Sequence, residues 1–169
     1  MKNIETERLI ICQLSIEDSG FIIRLLNSPG WLKFIGNKNV KTISDAEKYI
    51  INGPVKSYEN NGFGLCLVKL KKENIPVGIC GLIKRDSLDD IDIGFALLPE
   101  YEGIGYGYES ATAVLHHAKT GLGIKKVVAI TDKDNISSIK LLEKTGLQFE
   151  KNILLKGEEE EVMLFKIHL

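Results

Sequence analysis

From Arg8 to Leu14 apolar and polar residues alternate, a period of two that predicts a half-buried strand. Ser15 then caps a helical run whose Phe21, Ile22, Leu25 and Leu26 share one face, up to a turn at Ser28-Pro29-Gly30. Ser44-Asp45-Ala46-Glu47 has capping-box spacing, with Ala46, Tyr49 and Ile50 following on one face, so a second helix is predicted there, kinked or split at Gly53-Pro54. From Gly64 the pattern returns to strands: Leu65 to Leu70, Val77 to Ile83 and Ile91 to Leu98, separated by charged turns, read as three consecutive antiparallel strands. A glycine-rich turn after Pro99 leads into a helix bearing Ala111, Val114, Leu115 and Ala118. The strand Lys126 to Ile130 follows, then a short helix from Asn135 to Thr145 with Gly146 as its C-cap. Phe149 to Leu155 and Val162 to Ile167 form a closing hairpin around the acidic loop Glu158 to Glu161. The predicted order is βααβββαβαββ, without an internal repeat or low-complexity linker.

Composition narrows the possible roles. The 169 residues, 44% apolar, suit a single domain with a continuous core. Lysine and arginine total 22 against 23 acidic residues, so the basic excess that nucleic-acid binding requires is missing, and no nucleic-acid partner is expected. Cys12, Cys66 and Cys80 lie singly in apolar runs without C-x-x-C spacing and read as reduced, buried thiols of a cytoplasmic protein. The charged N-terminus lacks an apolar signal region, and no apolar stretch reaches the ~18 residues a membrane span needs, so no membrane association is expected.

The segment with the most chemical content is the junction from Ile93 through Pro99 and Gly103-Ile104-Gly105-Tyr106-Gly107-Tyr108 into the following helix. A strand running through glycines into a helix presents unpaired N–H groups and the positive end of the helix dipole, which suit a pyrophosphate. Glycine at 103, 105 and 107 keeps side chains clear and permits positive φ. A dinucleotide fingerprint would need glycine at position 108, which is tyrosine, and would open the domain rather than follow four strands. A nucleotide P-loop would need a closing Lys-Ser or Lys-Thr pair, which the turn lacks. An ordinary glycine-rich turn remains the bland alternative.

The surrounding residues carry a family resemblance. Asp92 to Gly107 resembles the acetyl-CoA-binding motif Gln/Arg-x-x-Gly-x-Gly/Ala of the GNAT superfamily of acetyltransferases, with Gly105 and Gly107 at its two small positions. Asn135-Ile-Ser-Ser138 through Leu142, Glu143, Lys144 and Gly146 resembles the later N-x-x-S-x-x-x-x-E-K-x-G-F motif, and Glu7-Arg8-Leu9 resembles the T-E-R-L opening of the ribosomal-protein-alanine type. The similarity runs from about residue 5 to the C-terminus. It departs at Glu102, where the signature has Gln or Arg, and at Leu142, where many members carry a tyrosine that protonates the departing CoA thiolate.

The resemblance implies a GNAT fold: a mixed α/β domain with a mostly antiparallel sheet of six to seven strands, two of them splayed, and about four helices. Acetyl-CoA would lie between the strand ending at Leu98 and the strand Lys126 to Ile130, held by backbone groups of Leu97 and Leu98, by the turn from Gly103 to Tyr108, and by Asn135. Asp92 stands at the position of the family's base, and Ser138 at that of its thiolate proton donor. The bland alternatives are a solvated hairpin end for Asp92, beside Asp86, Asp89 and Asp90, and for Asn135 and Ser138 an N-cap followed by an exposed helix residue. At ~100° per residue Asn135, Ser138 and Leu142 share a helix face. Trp31, Phe34 and Tyr49 would wall the acceptor site, unless they are simply core. His116 and His117 are adjacent rather than four apart, and no metal site is predicted. The implied activity is acetyl transfer to a primary amine, of a small molecule or a protein N-terminus, by a monomer or homodimer. A non-catalytic acyl-CoA-binding module, or transfer of a longer acyl chain, would use the same fold.

Overall fold

One sheet organises the chain, built from β1 (Ile4–Glu5), β2 (Leu9–Gln13), β3 (Leu65–Leu70), β4 (Pro76–Ile83), β5 (Asp92–Leu97), β6 (Lys126–Thr131), β7 (Gln148–Leu154) and β8 (Glu161–His168). The computed structural model describes residues 3–169; Met1 and Lys2 of the charged N-terminus lie outside the described residues. Strand order is β1-β2-β3-β4-β5-β6-β8-β7, and every neighbouring pair is antiparallel except β5 and β6. The fold is thus the mixed α/β one expected, with eight strands among the described residues in place of six or seven. The addition is β1, two residues long and too short to show a period.

Helices cover both faces. α1 (Ser19–Leu26), α2 (Pro29–Phe34) and α3 (Ile43–Ile50) pack on one side, where Ile22, Leu25, Leu26, Trp31, Ala46 and Ile50 meet Leu67, Ile79 and Leu98, and α4 (Lys56–Asn61) follows α3, with its Tyr58 packed against the other core cluster. α5 (Tyr106–Thr120) and α6 (Ile136–Lys144) cover the other side, where Ala111, Val114, Leu115, Ala118 and Leu142 meet Leu9, Val68, Ile93, Val127 and Phe165. The helix count exceeds four because two short helices arise where turns or kinks were expected. Pro29, read as part of a turn, is the first residue of α2 with Ser28 at its N-cap, a position where the missing N–H costs nothing. At Gly53-Pro54 the α-helix is split, as expected, but the chain stays helical. A π-helical stretch, Ile51–Val55, absorbs the proline and joins α3 to α4.

The capping box of α3 lies two residues earlier than expected. Thr42 Oγ1 accepts from the Asp45 N–H at 3.1 Å, while Asp45 Oδ2 accepts from the N–H of Thr42 at 2.9 Å and of Lys41 at 3.1 Å. Thr42-x-x-Asp45 and Ser44-x-x-Glu47 have the same spacing, and the helix starts at Ile43, so Ser44 falls inside its first turn. Cys12, Cys66 and Cys80 are free thiols, Cys66 and Cys80 buried as cross-strand partners and Cys12 half-buried. No helix among the described residues is long and apolar enough to cross a membrane.

Candidate active site at the fork of the sheet

Parallel strands β5 and β6 meet at a single register pair, Asp92 opposite Val128, where the Val128 N–H donates to the Ile91 carbonyl at 2.9 Å. Beyond that pair β5 continues on β4 and β6 continues on β8, so the two strands diverge and leave a fork in the middle of the sheet. Residues along a strand alternate the edge to which their backbone groups point. The Leu98 N–H donates to the Val77 carbonyl at 2.9 Å, which assigns Leu98, Ala96 and Gly94 to the β4 edge, and Phe95 and Leu97 to the open edge.

This alternation separates the two residues expected to offer backbone contacts. Leu97 presents its N–H and carbonyl to the fork. Leu98 does not: its N–H is held by Val77 and its carbonyl accepts from the Tyr101 N–H at 2.9 Å. Phe95, which the reading of the sequence missed, shares the open edge with Leu97. The two-residue period would have found it once the partner edge of Leu98 was known.

From Leu98 the chain makes a 3-10 turn, Pro99–Tyr101, and enters α5 through the glycines. Gly103 and Gly105 have φ of 75° and 94°, left-handed values that glycine adopts without strain, and Gly105 is the N-cap of α5. Gly107 is different. It lies within the helix and is buried, and a Cβ there would meet Leu141 Cδ2 at 3.2 Å and Leu97 Cδ1 at 3.6 Å. Its role is close packing of α5 on α6 rather than positive φ. Gly103, Ile104, Gly105 and Tyr108 are exposed and Tyr106 half-buried, so the turn faces solvent beside the open end of the fork. The Glu102 carboxylate turns toward the start of α2, with Oε1 3.9 Å from where a Cβ on Gly30 would lie.

Four residues separate β6 from α6. Asn135 is its N-cap, with Oδ1 accepting from the Ser138 N–H at 3.1 Å, which leaves the Asn135 amide hydrogens for another acceptor. Asn135 and Ser138 are half-buried and Leu142, on the same face, is buried in the core under α5. The stripe therefore runs from the mouth of the fork into the interior.

Asp92 stands at the vertex of the fork. It is not the solvated end of a hairpin: its side chain is 1% exposed and Oδ2 accepts from Arg85 Nε at 2.5 Å. Oδ1 is buried without a hydrogen-bond partner among the described residues; the Ile130 backbone N–H is directed at the carboxylate but too loosely to satisfy it. Burial pushes the Asp92 pKa up to about 6 from 3.8, against the opposing pull of the Arg85 charge and hydrogen bond. Asp90, expected beside it in one acidic cluster, pairs instead with Lys126 at 2.7 Å. On the α1 to α3 side, Tyr49 is half-buried near Arg85 and Phe34 is half-buried, whereas Trp31 is a core residue 6% exposed. His116 and His117 lie on α5, and no group of three metal-binding side chains occurs among the described residues.

A mixed sheet forked between two parallel central strands, beside a glycine-rich helix start, defines an acyltransferase class of fold. Within that class the chain belongs to the GNAT acetyltransferase family, whose acetyltransferase (GNAT) domain matches residues 8–148. It is 26% identical over 162 residues to the N-acetyltransferase p20 of Bacillus licheniformis, covering 94% of this chain and 88% of that protein. Its fold matches that of an acetyltransferase from Agrobacterium tumefaciens strain C58 with a TM-score of 0.85 at 19% identity, covering 100% of this chain and 95% of that one. RimL, a ribosomal L7/L12 α-N-protein acetyltransferase solved in complex with coenzyme A, matches with a TM-score of 0.82 at 15% identity, covering 99% and 98%.

Proposed function

We propose that this protein transfers an acetyl group from acetyl-CoA to a primary amine, by direct attack of the amine on the thioester. The observation that carries the reading is the fork itself: β5 leaves β6 after Asp92 and Val128, and its free edge leads through the short Pro99–Tyr101 turn to the exposed glycines at the start of α5. A donor with a thioester at one end and a pyrophosphate toward the other fits that continuous path, and family membership and the coenzyme A complex of RimL support the choice of donor. The N–H groups of residues 103 to 108 bind the pyrophosphate, and the backbone of Phe95 and Leu97 pairs with the pantetheine amides as a missing strand would. The Asn135 amide, free on its nitrogen side, binds the same arm.

An amine attacks only when neutral, so its proton must leave, and the departing thiolate must gain one. Asp92, ionised above about pH 6, is the base. Since it is buried behind Arg85, a water relay carries the proton to it. Ser138, on the first turn of α6, supplies the proton to the thiolate directly or through water. The acceptor approaches from the side of Phe34 and Tyr49. A small amine and a protein N-terminus both suit that side, and the free thiols of Cys66 and Cys80 suit a cytoplasmic enzyme.

The test joins calorimetry with coenzyme A to a thiol-release assay, in which acetyl-CoA is offered with a panel of small amines and peptide N-termini. Binding together with turnover of at least one amine is the expected result. Binding without turnover across the panel would identify a non-catalytic acyl-CoA-binding module, and absence of binding at millimolar coenzyme A would overturn the donor assignment.

A further inference from the structure

The turn that opens α5 is gripped from the far end of the chain. Thr6 and Arg8 lie in the tight connection between β1 and β2, closed by the Thr6 N–H donating to the Leu9 carbonyl at 2.9 Å. Three donors from this connection converge on the Glu109 carboxylate in the first turn of α5: Thr6 Oγ1 at 2.6 Å, the Arg8 N–H at 2.8 Å and Arg8 Nε at 2.7 Å. Arg8 Nη1 donates to the Ile104 carbonyl at 3.1 Å, and the guanidinium lies 4.6 Å from the centroid of the Tyr106 ring. Arg8 Nη2 is 3.1 Å from where a Cβ on Gly105 would sit. One side chain thus touches residues 104, 105, 106 and 109 across a sequence separation of about 100 residues.

Two physical consequences follow. In a planar trans peptide the carbonyl and the next N–H point in opposite directions, so fixing the Ile104 carbonyl on Arg8 directs the Gly105 N–H away from the guanidinium. A glycine-flanked peptide left to itself could flip, which would turn a carbonyl toward an incoming phosphate. The second consequence concerns charge. A glutamate in the first turn stabilises a helix, but unneutralised it would repel an anion bound at the same helix end. Burial alone would raise the Glu109 pKa, yet the hydrogen bonds from Thr6 and Arg8 outweigh it and hold the group below the usual carboxylate range, so the pair is a stable ion pair at neutral pH.

We infer that Arg8 is a positioning residue of the donor site, which sets the peptide orientation of the turn for pyrophosphate binding and cancels the Glu109 charge there, without touching the reacting atoms. The inference rests on the donor reading above. It also gives a function to the Thr6-Glu7-Arg8-Leu9 opening.

The experiment compares the full-length protein with Arg8→Ala and Arg8→Lys, using acetyl-CoA and acetyl-pantetheine, a donor that retains the thioester but lacks the pyrophosphate. Coenzyme A affinity is measured separately by calorimetry, which needs no turnover. Arg8→Ala should raise Kd for coenzyme A and KM for acetyl-CoA by about ten-fold to a hundred-fold, the range for losing charge-assisted hydrogen bonds, while kcat falls less than about two-fold. With acetyl-pantetheine the penalty on kcat/KM should shrink to less than about two-fold. Arg8→Lys keeps the charge and loses the fork geometry, so it should fall between the two, and it carries the test if the alanine variant fails to fold. Equal losses in kcat/KM for both donors, or unchanged coenzyme A affinity in a folded variant, would overturn the inference. If the parent protein itself binds no coenzyme A, the donor reading fails first and removes this one with it.

Discussion

Arg85 Nε donates to Asp92 Oδ2 at 2.5 Å, and the two side chains differ sharply in exposure: the arginine is 38% exposed and the aspartate 1%. The geometry follows from register. Asp92 is paired with Ile83 across β4 and β5, and Arg85 lies two residues beyond Ile83, on the same face of the hairpin. The guanidinium therefore closes over the carboxylate at the vertex of the fork. Burial raises the pKa of Asp92 and Arg85 restrains that rise, leaving it at about 6, where a base is ionised at neutral pH without being too weak to accept a proton.

A pH dependence follows. Unfolded, Asp92 titrates near 3.8, and folded near 6, so between these values the native state holds more protons than the unfolded one. Stability contributed by this group is then complete below about pH 4 and falls by roughly 3 kcal/mol as pH rises through about 6. Urea unfolding of the parent and Asp92→Asn across that range should give curves whose difference changes with pH and flattens above it. The parent's rate should rise with pH through about 6, and the same variant should lose that rise together with ten-fold to a few hundred-fold in kcat, within or below the general-base range. Parallel stability curves, or an unchanged rate profile, would remove Asp92 from the mechanism.

Ser138→Ala should lower kcat by about ten-fold to a hundred-fold with little change in KM for acetyl-CoA, the pattern of an interaction made mainly in the transition state. The buried position of Leu142 decides a companion case. Replacing it with tyrosine adds volume inside the α5 core rather than at the fork, so Leu142→Tyr should destabilise by about 1–3 kcal/mol and leave Ser138→Ala unrescued. Steady-state kinetics and chemical denaturation of the single and double variants decide both points. An alanine variant as fast as the parent would assign proton delivery elsewhere.

The three glycines of the turn should respond differently because their constraints differ. Gly105→Val combines a left-handed φ with a contact on Arg8 Nη2, and should abolish coenzyme A binding. Gly103→Ala has open space around its Cβ and bears only backbone strain, of order 1–2 kcal/mol. Gly107→Ala must displace Leu141, and should lower stability more than coenzyme A affinity. Calorimetry and thermal melts on the set test the order; equal losses of affinity at all three positions would contradict it.

The start of α3 offers a comparison far from the chemistry. Thr42→Ala should cost about 1 kcal/mol, the usual worth of an N-cap, whereas Ser44→Ala should be neutral within about 0.5 kcal/mol. A larger loss at Ser44 than at Thr42 in urea denaturation would place the capping box where the sequence first suggested it.

Much of the molecule was readable before folding was considered. The strands β2 to β8, the glycine turn and the end of α6, where Gly146 takes a φ of 93° one residue past the Thr145 C-cap, all depend on residues within about four positions of one another, the range over which periodicity and capping act. Asn135 was legible as an N-cap for the same reason. Local spacing failed where two signals competed within the same few residues, as Thr42-Asp45 did with Ser44-Glu47, where an element was too short to have a period, as at Ile4–Glu5, and where a proline stood for a turn or kink, as at Pro29 and Pro54.

Tertiary structure decided the rest. That β5 leaves β6 after one register pair, that Leu97 faces the fork while Leu98 is bonded to β4, and that Arg85 covers Asp92 all depend on which strand edges meet. Charge content could not say which of 22 basic and 23 acidic side chains would become partners. Arg8 finds Ile104 and Glu109 because the strand order and the path of α5 carry the β1 to β2 connection onto the glycine turn. The sequence by itself determined most of the elements, because periodicity, capping and turn chemistry act between residues a few positions apart. Which positions became a site was settled by long-range packing, because burial and pairing act on distance in space and not on distance along the chain.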